Sequence, residues 1–159
     1  MKSVHQWLDE YGESHQNPIN KAIHWVCVPL IMFTALGILW AIPSGILNAL
    51  VPSGWEPWAN WAVLVALLTG LFYLRLSIAM FVGMVVIAVP MLALCYWIER
   101  AGLPLVWISI AVFVLAWIGQ FVGHGIEGKK PSLFEDLQFL LIGPAWLLGF
   151  IYRRLGIGY

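Results

Sequence analysis

Residues 58–98 run for roughly 40 positions with a single charged side chain, Arg75, about twice the apolar length that one bilayer crossing needs. No water-soluble domain buries such a stretch easily. The rest of the chain is of the same kind. Its 159 residues are 62% hydrophobic by type and 10% charged, against about 45–50% and about 25% in an average soluble domain. Eight basic and eight acidic side chains give a net charge of zero. That leaves neither the polarity of a disordered chain nor the basic excess of a nucleic-acid binder. The fold class expected is all-α, an integral membrane helical bundle of four to five transmembrane helices behind a short polar N-terminal leader.

One membrane domain over residues 1–159 is expected. Residues 1–21 are a polar leader, unlike a signal peptide, so insertion falls to the internal spans. The spans expected are 22–42, 58–77, 78–98 and 103–122, with a turn near Arg75 dividing the long run. Trp25 and Trp40 stand about 22 Å apart along a helix, a spacing that suits two interfacial belts. Residues 123–136 read as a polar loop. Residues 137–152 are apolar but short and interrupted by Gly143-Pro144, which suggests a fifth span or a re-entrant segment. Cys27 and Cys95 lie in apolar runs and read as small core hydrophobes.

Four crossings return residues 13–24 and 123–136 to the same side. Lys2, Lys21, Lys129, Lys130 and Arg75 fall on that side and Arg100 opposite, so the shared face is expected to be cytoplasmic. The membrane would be the inner membrane of a bacterial cell or the endoplasmic reticulum of a eukaryotic one.

Three of the four histidines lie in these two polar segments. Asn17-Pro18 is a helix start, with Asn as cap and Pro in the first position; Asn17, Asn20 and His24 then share one stripe. His15 precedes the cap, and the break at Asn17-Pro18 lets its imidazole converge with that of His24. If the fourth span continues through Gly123 and Gly125, Gln120, His124 and Glu127 form a second stripe. A metal site of His15, His24 and His124 is one reading. Interfacial histidines bonded to Asn, Gln or backbone are the other. His5 has no such neighbours, and Arg75 reads as a snorkelling turn residue. Four histidines are too few for a membrane di-iron oxygenase, which relies on about eight in clustered boxes; a mononuclear site remains possible.

Two patterns carry a family resemblance. Tyr11, His15, Asn17, Pro18, Asn20, His24 and Pro29 meet Tyr-x-x-x-His-x-Asn-Pro-x-Asn-x-x-x-His-x-x-x-x-Pro. Gln120, Gly123, His124, Glu127 and Pro131 meet Gln-x-x-Gly-His-x-x-Glu-x-x-x-Pro. Together they resemble the small multi-pass 2-hydroxy fatty acid dioxygenases, over nearly the whole chain as far as Pro144-Ala145-Trp146. The resemblance implies an Fe(II)-dependent α-oxidation in which a 2-hydroxy fatty acid and O₂ give the acid one carbon shorter. It makes His15, His24 and His124 the candidate metal ligands, and Asn17, Asn20, Gln120 and Glu127 candidate acid/base or supporting groups. Three protein ligands leave three positions on an octahedral ion, two for the carboxylate and α-hydroxyl of the substrate and one for O₂. Lys129 or Lys130 could pair with the substrate carboxylate. The alkyl tail is expected among the spans, in contact with membrane lipid, with weak selection by length because a methylene gains little on leaving lipid. A non-catalytic lipid-binding or scaffold protein is the alternative. A transporter fits less well, since it would carry ionisable residues at the midplane and an internal repeat.

Overall fold

The computed structural model describes residues 2–128 and 138–159. Among these it is all-helical, with seven α-helices: α1 (Val4–Gly12), α2 (Pro18–Trp40), α3 (Gly45–Asn48), α4 (Trp61–Leu76), α5 (Ile78–Arg100), α6 (Leu105–Glu127) and α7 (Gln138–Leu155). Three of them, α2, α5 and α6, are 23 residues each and apolar enough to cross a membrane; each is about 34 Å long. Their outward faces, with residues such as Val82, Val86, Leu115 and Ile118, are exposed and apolar, as lipid contact requires.

Local signals explain the boundaries. Ser3 opens α1 with a reciprocal capping box to Gln6. The Asn17 side chain caps α2 by accepting from the Ile19 N–H, and Pro18 fills the first helical position. Ser77 ends α4 and starts α5 in extended conformation, its hydroxyl accepting from the Ala79 N–H. Gly128 stops α6 in the left-handed region at φ 75°, which a Cβ would disfavour.

Several expected boundaries and contacts are corrected. α4 begins at Trp61 rather than residue 58, because a helical turn at Glu56–Trp58 and the Asn60 cap take up the start of the run. Its 16 residues reach about 24 Å, short of a core about 30 Å thick. Against the four to five spanning helices expected, three of the described helices are long and apolar enough to cross a membrane, and α4 is a shorter apolar helix. Residues 123–127 belong to α6 and not to a loop, since Gly123 and Gly125 stay helical and the turn waits for Gly128. The polar segment from residue 129 to 137, with Lys129, Lys130 and Pro131, lies outside the described residues. Gly143-Pro144 does not break α7; the helix is continuous and buried from Ile142 to Gly149. Trp25 is 41% exposed, as an interfacial residue should be, but Trp40 is 5% exposed and donates from Nε1 to Glu99 at 2.9 Å. Trp40 is a buried link between α2 and α5, not a belt residue.

The bundle is organised around α2, which packs along the length of α6 and also touches α4, α5 and α7. The α2–α6 seam is made by small groups. A Cβ on Gly119 would come 2.7 Å from Cys27 Sγ, and one on Gly37 would overlap the Ser109 hydroxyl. Small residues that let backbones approach are the usual device for helix association in lipid, where hydrophobic burial between helices gains little. A larger apolar cluster joins Leu8 and Tyr11 of α1 to Trp146, Leu147 and Leu148 of α7 and Met80 and Met84 of α5. Tyr73 Oη donates to the Leu141 carbonyl at 2.8 Å and Tyr152 Oη to the Ala79 carbonyl at 2.6 Å. These bonds hold α7 against α4 and α5.

The seam makes a direct prediction. Gly37→Ala should destabilise the folded protein by about 1–3 kcal/mol, the usual cost of overpacking. Gly125→Ala adds a methyl that meets open space, and should be neutral or gain up to about 1 kcal/mol. Thermal unfolding of both variants in detergent, followed by circular dichroism, checks this; equal losses would mean that α2 and α6 do not meet so closely.

Candidate metal centre

His15, His24 and His124 meet at one end of the bundle. His15 stands in the break between α1 and α2, His24 is two turns into α2, and His124 is one turn before the end of α6. All three are buried, at 0%, 0% and 3% exposure. One potential ligand atom from each lies within 4.8 Å of the others. The rings stand nearly perpendicular to one another, at interplanar angles of 75–78° and centroid distances of 4.3, 5.0 and 5.1 Å. A nitrogen of each ring is thus close enough to the other two to share one ion.

Backbone carbonyls decide which nitrogens can bind there. His15 Nδ1 lies 2.6 Å from the Tyr11 carbonyl and His24 Nδ1 lies 2.9 Å from the Asn20 carbonyl. A carbonyl only accepts, so in both neutral rings the proton sits on Nδ1 and the lone pair on Nε2. The two Nε2 atoms then face each other at 2.9 Å. Two lone pairs at that distance repel unless a cation or proton lies between or beside them. His124 Nδ1 is a third buried nitrogen with no hydrogen-bond partner. Burial, reinforced by the neighbouring imidazoles, lowers the His15 pKa to about 3, against the backbone bond to Tyr11, which favours the charged form. The proton is therefore not the natural occupant near neutral pH.

The donor set fits a metal ion. Two nitrogens each about 2.1 Å from a shared ion stand roughly 3.0–3.4 Å apart, depending on the angle between them, the scale of the His15–His24 separation. Each of these imidazoles already donates its other N–H to a carbonyl, the outer contact that metal-binding histidines usually have. Tyr11 stacks on His15 at 4.2 Å and 10°, and Trp146 of α7 lies 5.3 Å from the same ring. These aromatic rings wall one side of the cluster.

Glu127 does not point its carboxylate at an imidazole. Its Oε1 accepts from the Gln16 N–H at 2.8 Å, and its Oε2 accepts from the Asn17 N–H at 2.9 Å and from Asn20 Nδ2 at 3.0 Å. A carboxylate at the end of α6 thus caps the start of α2, where unpaired backbone donors and the helix dipole favour negative charge. Asn17 spends its side chain on the helix cap and Asn20 on Glu127. Gln120 stands apart from this clamp. It is buried, its Nε2 has no hydrogen-bond partner, and with His124 it lines the end of a cavity of about 400 Å³.

The structure therefore brings the three sequence-predicted histidines together and divides the other four candidates between a clamp and a cavity wall. His5 is exposed on α1, near Tyr159 and away from the cluster, and Arg75 is exposed in the last turn of α4. Trp146 went unread as a site residue because ten tryptophans suggest belts and packing; its place at the edge of the family resemblance was the one available signal.

A family model described as "2-hydroxy-palmitic acid dioxygenase Mpo1-like" matches residues 1–155. Among curated proteins, 2-hydroxy-palmitic acid dioxygenase MPO1 of Saccharomyces cerevisiae is 27% identical over 153 residues, covering 94% of this chain and 79% of its own length. No solved structure matches the chain. The match spans both histidine segments and the helices between and after them, and on that ground the chain belongs to the Mpo1-like family.

Proposed function

We propose that this protein is an iron(II)-dependent dioxygenase that shortens 2-hydroxy fatty acids by one carbon, using O₂ to cleave the bond between C1 and C2. The observation that carries the reading is the pair of Nε2 lone pairs held face to face at 2.9 Å beside a third buried imidazole. The named activity of the yeast relative supplies the reaction class. Imidazole suits iron, zinc and copper alike, but zinc does not change oxidation state, so oxygen chemistry favours iron.

His15, His24 and His124 would hold the ion. Bound there, iron(II) would supply the redox chemistry and the open positions that a chelating 2-hydroxy acid and O₂ require. The protein's own part is positional. Gln120 lines the cavity beside His124 and has an amide Nε2 with no hydrogen-bond partner, a donor that would serve the carboxylate or α-hydroxyl of the substrate. Tyr11 and Trp146 keep water from the His15 side. Glu127 acts as a positioning residue: by tying α6 to the start of α2 it fixes His124 relative to His15 and His24. Asn17 and Asn20 belong to the same clamp.

The same reading treats residues 1–159 as one integral membrane domain. α2, α4, α5 and α6 form four crossings, the short α4 being accommodated by local bilayer thinning, and α7 is a fifth segment sheltered by the bundle. Lys2, Lys21 and Arg75 lie towards the histidine end and Arg100 towards the other, which supports a cytoplasmic active-site face.

Two experiments test the proposal. After anaerobic reconstitution, the wild type should carry about one iron per chain, as one three-histidine site requires, and convert 2-hydroxy acids to the shortened acid. His24→Ala should lose both iron and turnover while still folding, whereas His5→Ala should match the wild type. Folded protein that takes up no metal would favour a lipid-binding scaffold instead. Glu127→Gln should weaken iron affinity about 10–100-fold, as loss of an outer supporting contact does, and excess iron should restore most turnover. A variant fully loaded with iron yet still inactive would instead give Glu127 a role in proton transfer.

A further inference from the structure

We propose that the 400 Å³ cavity is a sleeve for the alkyl chain of the substrate, and that its floor, Leu36 and Leu39 on α2 with Val65 and Ala66 on α4, sets the longest chain accepted. The inference rests on the reading above that the substrate is a 2-hydroxy fatty acid; it adds where the tail goes and what measures it.

The cavity has a polar end and an apolar end. Gln120 and His124 line it near the histidine cluster, and the lining on α2 runs down from Val28 to Leu39. Those 11 steps of helix measure about 16 Å. Along the way Thr69, Tyr73 and Trp117 carry side-chain polar atoms, and the two hydroxyls are engaged: Thr69 Oγ1 donates to the Ala66 carbonyl at 3.1 Å and Tyr73 Oη to the Leu141 carbonyl at 2.8 Å; the remaining side chains there are apolar. Below the polar end, the cavity therefore suits a ligand with no polar atoms of its own.

The length matches one chain. Fully extended backbone advances about 3.3–3.6 Å per three-bond residue, so a chain of single bonds gains about 1.2 Å per bond, and 16 Å holds roughly 13 bonds. In a sixteen-carbon 2-hydroxy acid, C3 to C16 are joined by that many. The floor is closed by packing. Leu36, Leu39 and Ala66 rest on a tight cluster of Trp40, Ala62, Leu92, Cys95 and Leu105, pinned by the Trp40–Glu99 hydrogen bond. A longer tail would have to displace that cluster.

The test uses the full chain in lipid nanodiscs and two readouts. One is the turnover profile of 2-hydroxy acids from ten to twenty carbons. Ala35→Phe, which places a ring about two-thirds of the way down the sleeve, should lower the ratio of sixteen- to ten-carbon turnover by at least about tenfold, the scale of steric discrimination in a fitted pocket. Leu39→Ala should raise the ratio of eighteen- to sixteen-carbon turnover several-fold. The other readout needs no chemistry: hexadecanoic acid with a diazirine at its terminal carbon should crosslink to Leu36, Leu39, Val65 or Ala66, as mapped by mass spectrometry. Labelling at the floor without turnover of any 2-hydroxy acid would uphold the sleeve and overturn the dioxygenase reading. Turnover with unshifted profiles in both variants, and labels confined to outward residues such as Val82, Val86 and Ile118, would overturn the sleeve alone. A tightly held phospholipid that blocks floor labelling and survives substrate addition would also overturn it.

Discussion

Two backbone carbonyls, those of Tyr11 and Asn20, fix the protons on His15 and His24 and thereby point two lone pairs at each other. The arrangement is costly as it stands. Each imidazole is fully buried, so neither lone pair finds water, and burial holds His15 neutral. Unsatisfied polar groups are expensive in a low-dielectric interior, and a cation among these nitrogens turns the same cost into a binding site. Much of the surrounding structure can be understood as keeping the three rings where this exchange is possible.

That task falls to contacts distant in sequence. α2 and α6 bring His24 and His124 level only because small side chains let the two helices close on each other over their length. The end of the seam is then locked by Glu127, whose carboxylate reaches across to three donors at the start of α2. The bonds join opposite partial charges, since the helix start carries unpaired N–H groups. α7 completes the enclosure from the far side, setting Trp146 against both Tyr11 and His15.

The legible and illegible parts of this design differ in a physical way. The Asn17-Pro18 start, the Ser77 turn and the shared end of the three histidines follow from rules that act within a few residues, and the sequence displays them. The roles of Glu127 and Asn20 do not, because a carboxylate one turn beyond a histidine looks the same whether it faces the imidazole or a neighbouring helix. Trp40 misled for the same reason: its depth along α2 was readable, but its face, turned inward to Glu99, depends on α5. The short α4 turned on one competition, in which the Asn60 cap and the turn before it prevailed over hydrophobicity. The cavity had no sequence signal at all, since it is the space that six helices leave between them.

That space also changes how chain length should matter. A methylene taken from water into an apolar site gains about 0.8 kcal/mol, but a tail already dissolved in lipid has made most of that gain before it enters. Apolar contact alone therefore distinguishes one length from another only weakly, as the composition suggests. A floor acts differently. It adds nothing for chains that stop above it and opposes those that would go further, because a packed cluster yields at a cost of about 1–3 kcal/mol for each overpacked group. In the proposed enzyme, affinity would then be left to the head group, through Gln120 and an ion held by the histidines, and selection to the tail. The two can be altered separately because they sit at opposite ends of one cavity.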